Sequence, residues 1–311
     1  MRDMTKFQDL KEEAVRQFQE LHSGSKPWIR IGAAVCGEAA GATAVAEAIK
    51  ESLTKSGIEA NVSFVGCIGL CYAEPLIDIV KPGGSRIFYG NVTPEIASDL
   101  IQSYLSDENN PMPELALAYS GDDEVPGVTK LEDLPIWSHQ VRIALRNCGM
   151  IDPMDIYQYI ANDGYEALHK DVTSMQPQDV IKEVEISGLR GRGGAAFPTF
   201  RKWGFLAGSD RPVKYILCNC EEGDPGAFND KGILESDPHM LLEGLILAGY
   251  ATGASNGIIF IRHGHDGPID RIEMAIRQAY EQGILGERIL ESNFNFEVEV
   301  SLTGESYVAG E

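Results

Sequence analysis

The stretch that most constrains this chain is Gly188 to Phe205, GLRGRGGAAFPTFRKWGF. Its glycines allow left-handed backbone and let a ligand approach main-chain N–H groups closely. Successive N–H groups in such a turn form a concavity for anions. Pro198 suits the opening of a helix through Thr199, Phe200, Lys202 and Trp203, and a helix N-terminus adds partial positive charge there. Arg190, Arg192, Arg201 and Lys202 bring cations, and Phe197, Phe200, Trp203 and Phe205 bring ring faces, into the same window. That combination points to a bound nucleotide. No Gly-Lys-Ser/Thr follows, so the loop is not of the Walker type. Gly191-Arg192-Gly193 opens a G-x-G-x-x-A pattern that ends at Ala196, so on the loop alone a free-standing Rossmann oxidoreductase stays open.

The chain has 311 residues and a formal net charge of −21. That charge argues against a nucleic-acid surface or an anionic membrane face as the main partner, and it makes the four cations an isolated basic island. No apolar run reaches membrane-spanning length, and the first residues given lack the apolar core expected of a signal peptide. A cytoplasmic protein without direct membrane insertion is expected, docking at the periphery of a membrane complex included. Six cysteines in that setting read as free, catalytic or metal-ligating thiols.

The expected organisation is α/β. Residues 1–26 hold an amphipathic helix (Phe7, Leu10, Ala14, Phe18, Leu21). Residues 27–105 read as a β-α-β-β-β-α unit. Residues 106–140 form an acidic connector bearing proline and glycine, and residues 141–311 form a second α/β domain with a central mixed sheet and helices on its faces. In the first unit Cys36 is expected on the loop after the first strand, with Cys67 and Cys71 after the second. Thr93-Pro94, Pro177 and Asp237-Pro238 read as helix starts. The sequence ends after a strand and a turn at Tyr307–Glu311, so it is expected to be part of a longer polypeptide.

Three spaced segments carry a resemblance: GLRGRGGAAFPTFRKWGF, CNCEEGDPGAFNDK (218–231) and ESDPHMLLEGLILAGYATGA (235–254), with VRIALRNCGMIDPMDIYQYIANDGYEAL (141–168) upstream and SYVAGE at the end. Together they resemble the NADH-oxidising FMN flavoprotein subunit of respiratory complex I and of NAD-linked hydrogenases and formate dehydrogenases. The resemblance implies FMN at Gly191, Arg192, Gly193, Lys202, Asn219, Glu221, Glu222, Gly223, Tyr307, Gly310 and Glu311, and NAD(H) at Gly194, Phe197, Phe205 and Asp224. It implies an NADH dehydrogenase activity: hydride passes between nicotinamide and flavin, and single electrons leave to iron–sulfur centres of a multi-subunit complex. The implied partners are a thioredoxin-like ferredoxin subunit and a larger iron–sulfur or catalytic subunit, with a [4Fe–4S] cluster only beyond residue 311. The sequence departs from the family pattern at Ala196 and Phe200, where glycine is usual, at Glu221, where Asp is usual, and at Asp224, where Glu is usual. Those departures keep open a non-catalytic flavin or iron–sulfur adapter that no longer uses NADH.

Residues 27–105 resemble the thioredoxin-like [2Fe–2S] ferredoxin fused ahead of this flavoprotein. By that resemblance Cys36, Cys67 and Cys71 are the metal ligands. Gly41 stands where a fourth cysteine is usual; either Glu38 or an outside group completes a cluster, or the fold is kept as a docking module with buried thiols.

Overall fold

A computed structural model describes residues 6–106, 109–224 and 226–304. The chain divides into two compact units, one of residues 13–158 with 235–237, the other of residues 1–12, 159–234 and 238–311. The expected amphipathic helix is present as α1 (Lys6–Ser23), which buries Phe7 and Ala14.

In the first unit the elements run β1 (Trp28–Gly32), α2 (Val35–Ala40), α3 (Ala42–Ser56), β2 (Asn61–Val65), β3 (Ile77–Val80), β4 (Arg86–Tyr89), α4 (Pro94–Tyr104) and β5 (Ala116–Ser120). They build a mixed five-stranded sheet of order β2-β1-β3-β4-β5, with β1 and β2 parallel and the other pairs antiparallel. The expected β-α-β-β-β-α order is present, with two additions. Cys36 lies inside the short helix α2 rather than on a loop, because VCGEAA closes one turn before Gly41. The stretch read as a connector supplies β5, which extends the sheet beside β4.

Alternation on the strands decides what each face buries. Ile29, Ile31, Ile77, Ile79, Ile87 and Tyr89 point to one side, where α3 and α4 cover them with Val45, Ile49, Ala97, Leu100 and Ile101. Phe88 faces the other side with Ile68, Leu70, Leu76, Ala118 and Leu131. Helix α4 starts where the sequence says: the Thr93 hydroxyl accepts from the Ile96 N–H, and Pro94 takes the first helical position.

On the Phe88 side a charged network is buried. Arg30 and Asp78 are directly opposite on β1 and β3, and Arg30 Nε donates to Asp78 Oδ1 at 2.8 Å. Arg86 Nη2 donates to Asp78 Oδ2 at 2.6 Å and to the Gly149 carbonyl at 2.6 Å. Burial and the neighbouring Arg86 charge push the Arg30 guanidinium down to about 9.

The later part of the chain carries α5 (Ile156–Ala161), α6 (Glu166–Ser174), α7 (Pro177–Ser187), α8 (Thr199–Ala207), β6 (Tyr215–Cys220), α9 (Asp230–Ser236), α10 (Pro238–Thr252), β7 (Asn256–Arg262), α11 (Asp266–Glu281) and β8 (Glu297–Thr303). In the second unit the described strands pair in the order β6-β7-β8, all parallel. Helix α10 is apolar nearly all round, burying Leu242, Leu245, Ile246, Ala248 and Ala251. It approaches Phe296 so closely that a Cβ on Gly249 would lie 2.3 Å from that ring, so only glycine fits. Its buried carboxylate, Glu243, accepts from Tyr159 Oη at 2.6 Å, Tyr165 N at 2.9 Å and Leu168 N at 3.2 Å. One turn earlier, His239 Nδ1 meets Tyr165 Oη at 2.8 Å and Nε2 meets Gln278 Oε1 at 3.0 Å.

Two outcomes follow from these buried groups. Asp78→Ala leaves two buried guanidinium groups without their counter-ion and is expected to cost about 3–5 kcal/mol in urea unfolding. Burial pushes the His239 imidazole down to about 4, below its unfolded value of 6.5. The neutral ring therefore contributes stability that is complete above pH 6.5 and is lost as pH falls through about 4, on the order of 3 kcal/mol in full. Urea midpoints measured between pH 7 and 4 are expected to fall, and His239→Gln is expected to flatten that dependence.

Candidate functional site

The glycine-rich stretch folds as a main-chain loop between α7 and α8. Gly188 ends α7 with φ 69°. Gly191 N donates to Phe197 O at 2.9 Å and Thr199 N to Leu189 O at 3.0 Å, which closes residues 190–198 into a narrow ribbon. At its tip Gly194 has φ 98°, and a Cβ on Gly193 or Gly194 would meet no atom within 4 Å. The backbone there is open to an approaching ligand. Ala196 holds φ 50°, a left-handed conformation that glycine adopts with less strain.

Lys202 stands on the first turn of α8. Its ammonium is the nearest group, at 3.3 Å, to the Cβ that Gly191 lacks, so it hangs over the loop backbone. Arg190 Nη1 donates to Ala196 O at 3.2 Å and stiffens the ribbon, whereas Arg192 is exposed. Phe197 and Phe205 are exposed, their ring centroids 6.4 Å apart and tilted by 40°. Helix α8 buries none of its residues. Lys214 Nζ steadies its far end, donating to Ala207 O at 3.0 Å and to Thr252 O at 3.2 Å.

The acidic turn lies at the carboxyl end of β6, where ligands sit in open parallel sheets. Asn219 is exposed at the strand end, and its Oδ1 accepts from Glu221 N at 3.2 Å. Two glutamates that look alike in sequence have separate environments. The Glu222 carboxylate accepts from the N–H groups of Asn229, Asp230 at 2.9 Å and Lys231 at 2.9 Å, with Lys231 Nζ 3.9 Å away. It is the cap of α9, a helix that no sequence signal marks, and only its main chain is left for a ligand. Glu221 is 2 % exposed, and its Oε1 is buried with no hydrogen-bond partner. A buried acceptor without a donor is what a bound hydroxyl or amide would satisfy. Gly223 O accepts from Arg262 Nη1 at 3.2 Å, which pins the turn to the end of β7, and Asp224 Oδ1 accepts from Gly226 N at 2.9 Å.

His265, just past β7, was not among the expected site residues. Its Nδ1 is buried without a partner, and burial, then the Lys231 and Arg262 charges, lower its basicity. No motif signals it; only the fold brings it into the electrostatic field of Glu221 and Glu222. Tyr307, Gly310 and Glu311 lie outside the described residues.

In the first unit the three expected ligand cysteines do come together. The sulfurs of Cys36, Cys67 and Cys71 all lie within 4.8 Å of one another, with Cys67 and Cys71 3.5 Å apart. Glu38, the expected substitute for a fourth cysteine, is engaged instead by the Thr43 hydroxyl at 2.6 Å. The carboxyl that does reach the thiols is Glu74, whose Oε1 is 3.7 Å from Cys36 Sγ. Iron–sulfur clusters of the [2Fe–2S] class most often take four thiolates, and the site brings three together, with the Glu74 carboxyl beside Cys36. Cys148 and Cys220 are buried. Cys218 and Cys220 approach each other to 3.6 Å on β6 but converge with no third ligand among the described residues.

If Glu222 is a helix cap, Glu222→Ala leaves three N–H groups without their acceptor. Amide hydrogen exchange at Asn229–Lys231 is then expected to accelerate by an amount equivalent to about 1–3 kcal/mol.

Residues 184–311 match the Nuo51 FMN-binding domain. The chain is 48% identical over 172 residues to HndC, the NADP-reducing hydrogenase subunit of Solidesulfovibrio fructosivorans, covering 55% of this chain and 35% of that protein. It is 43% identical over 169 residues to the second F-type NADH-quinone oxidoreductase polypeptide of Rhizobium meliloti, covering 54% and 40% respectively. Against the F-type NADH-quinone oxidoreductase polypeptide of Escherichia coli it is 34% identical over 160 residues, covering 51% and 36%. The matched part is thus between 35% and 40% of each of these relatives. Among solved structures, an NAD+-reducing [NiFe]-hydrogenase in the H2-reduced state aligns over 98% of this chain and 50% of that one, with TM-score 0.44 and 21% identity. No helix of the described residues is long and apolar enough to cross a membrane.

Proposed function

We propose that this chain, whose residues 184–311 match the Nuo51 FMN-binding domain family, is the FMN-binding electron-transfer part of a multi-subunit NAD(H)-linked redox complex. The observation that carries the reading is the open main-chain loop at Gly193–Gly194 with the Lys202 ammonium over Gly191, in a protein of net charge −21. A concentrated positive site on so acidic a chain suits a phosphate group.

The loop N–H groups between Gly191 and Ala196, with Lys202, would hold the flavin phosphate. Arg192 would add long-range positive charge from the exposed side of the loop. Asn219 and the Glu221 carboxylate would meet the polar edge and hydroxyls of the flavin, with the Gly223 main chain beside them; Glu221 Oε1 is the acceptor that now lacks a donor. Tyr307, Gly310 and Glu311 remain assigned to the flavin through the family resemblance. Phe197 and Phe205, tilted and exposed, would take the adenine of NADH between their faces, Gly194 would leave room for its pyrophosphate, and Asp224 would accept from its ribose. Bound flavin supplies the conversion of a two-electron hydride step into single-electron steps. The chain's own contribution is orientation: the loop fixes the phosphate end, the β6 turn fixes the ring end, and the exposed aromatic pair presents the reductant. The first unit, with strand order β2-β1-β3-β4, fits a thioredoxin-like module, and iron–sulfur subunits are the partners that this role requires.

The test is to purify the chain with FMN and titrate it anaerobically with NADH. Bleaching of the visible flavin band is expected; a flavin that stays oxidised would turn the reading toward an adapter without NADH chemistry, and a colourless protein that binds NAD without flavin toward a Rossmann oxidoreductase. Lys202→Ala is expected to weaken FMN retention roughly tenfold, equivalent to about 1.4 kcal/mol, in fluorescence titration.

A further inference from the structure

The turns that follow β6 and β7 leave two buried polar atoms unpaired. Cys220, the last residue of β6, lies opposite Ile261, so Glu221 leaves the sheet beside Arg262, the last residue of β7. Arg262 then anchors both turns. Its Nη1 donates to Gly223 O at 3.2 Å, and its carbonyl accepts from His265 N at 3.4 Å. Between them, His263 N donates to Thr303 O at 3.1 Å, which ties the same turn to the end of β8. The Glu221 and His265 turns are therefore fixed to one residue at the carboxyl edge of the sheet, where open parallel sheets bind ligands.

Within this frame Glu221 Oε1 and His265 Nδ1 are both buried, and neither has a hydrogen-bond partner among the described residues. His265 stands at the N-cap position of α11, yet its side chain caps no N–H there. The imidazole is not spent on the helix. An ionised carboxylate only accepts, whereas a neutral imidazole carries one N–H that donates. The two groups would satisfy each other if they met, and the anchored main chain keeps them apart. Buried polar atoms without partners are rare in folded proteins, and two of opposite capacity at one sheet edge call for a group that serves both. An alcohol hydroxyl does so, donating to the carboxylate and accepting from the ring. Burial, then the Lys231 and Arg262 charges, hold the imidazole below its ordinary basicity, while Glu222 and Glu221 act in the opposite sense.

We propose that His265 is a ligand-binding residue of this site, its Nδ1 and the Glu221 carboxylate together holding one hydroxyl of the ribityl chain of FMN. The inference rests on the FMN reading above and adds to it a residue and a part of the ligand. In that reading the Gly191–Ala196 loop takes the phosphate and Asn219 meets the polar edge of the ring. The ribityl chain joins those two ends of the molecule and carries its alcohol groups. The bond formed is a hydrogen bond at each side of the hydroxyl, with no proton or electron transferred.

The test is FMN affinity of the full chain, read by flavin fluorescence, in wild type and three variants. His265→Ala is expected to weaken FMN binding roughly tenfold. His265→Asn, whose amide nitrogen can stand where Nδ1 stands, is expected to stay within about threefold of wild type, and His265→Gln to resemble His265→Ala. A flavin phosphate with an unhydroxylated pentyl chain in place of ribityl isolates the contact. Wild type is expected to bind it about tenfold more weakly than FMN, and His265→Ala to bind it as wild type does. Equal FMN affinity in wild type and His265→Ala overturns the proposal and leaves the FMN reading standing. Equal losses for FMN and the pentyl analogue in His265→Ala also overturn it, because they make the residue structural. A wild-type chain that binds no FMN sinks the FMN reading and this inference with it.

Discussion

Each unit is organised around a carboxylate that burial would make costly if it lacked donors. Asp78 is met on both oxygens by arginines from the neighbouring strands β1 and β4, and Arg86 extends the same contact to the Gly149 carbonyl. Glu243 is met by a tyrosine hydroxyl and by two N–H groups at residues 165 and 168. Arg30 and the three Glu243 donors come from segments distant in sequence, so each carboxylate fixes tertiary placement in a way that an apolar contact, which is non-directional, does not. The consequence reaches the sites. Asp78 sits on the strand that follows the Glu74 turn, and Glu243 sits on the helix that packs on β6 and β7.

The glycine loop follows the opposite logic. Its shape rests on a few main-chain hydrogen bonds and left-handed dihedrals, and the helix it opens buries none of its own residues. Regions with few buried contacts lie at the low end of local stability. A phosphate held by such a loop would supply contacts that the protein lacks by itself, and ligand binding would then order the loop. The rigid part of the site is the turn after β6, tied to β7 through Arg262 and to α9 through Glu222.

Much of this was legible in the chain. Thr93-Pro94, Pro177 and Pro238 mark helix starts because proline fixes φ and needs no N–H partner in a first turn. Strands β2, β4 and β7 announce themselves by apolar and β-branched runs. What escaped has local reasons. Helix α2 contains a glycine and lasts little more than a turn. Strand β5 lies among prolines and acidic residues, and only pairing with β4 makes it a strand. Helix α9 is capped by a glutamate eight residues before its first residue, Asp230, a distance no capping pattern covers. The same fact separates Glu221 from Glu222, which share chemistry in sequence and differ only in what the fold places beside them. Glu74 and His265 have no ligand spacing at all, and proximity alone brings them to the sites.

The two units also differ in what their chemistry can carry. Single electrons leaving a flavin need an acceptor that changes oxidation state. In the first unit the sulfurs of Cys36, Cys67 and Cys71 lie within 4.8 Å of one another, with Glu74 Oε1 3.7 Å from Cys36 Sγ. The open glycine loop, with Ala196 in the left-handed region, and the three converging thiols, with glycine at position 41, are thus the places where each unit leaves polar groups for a ligand.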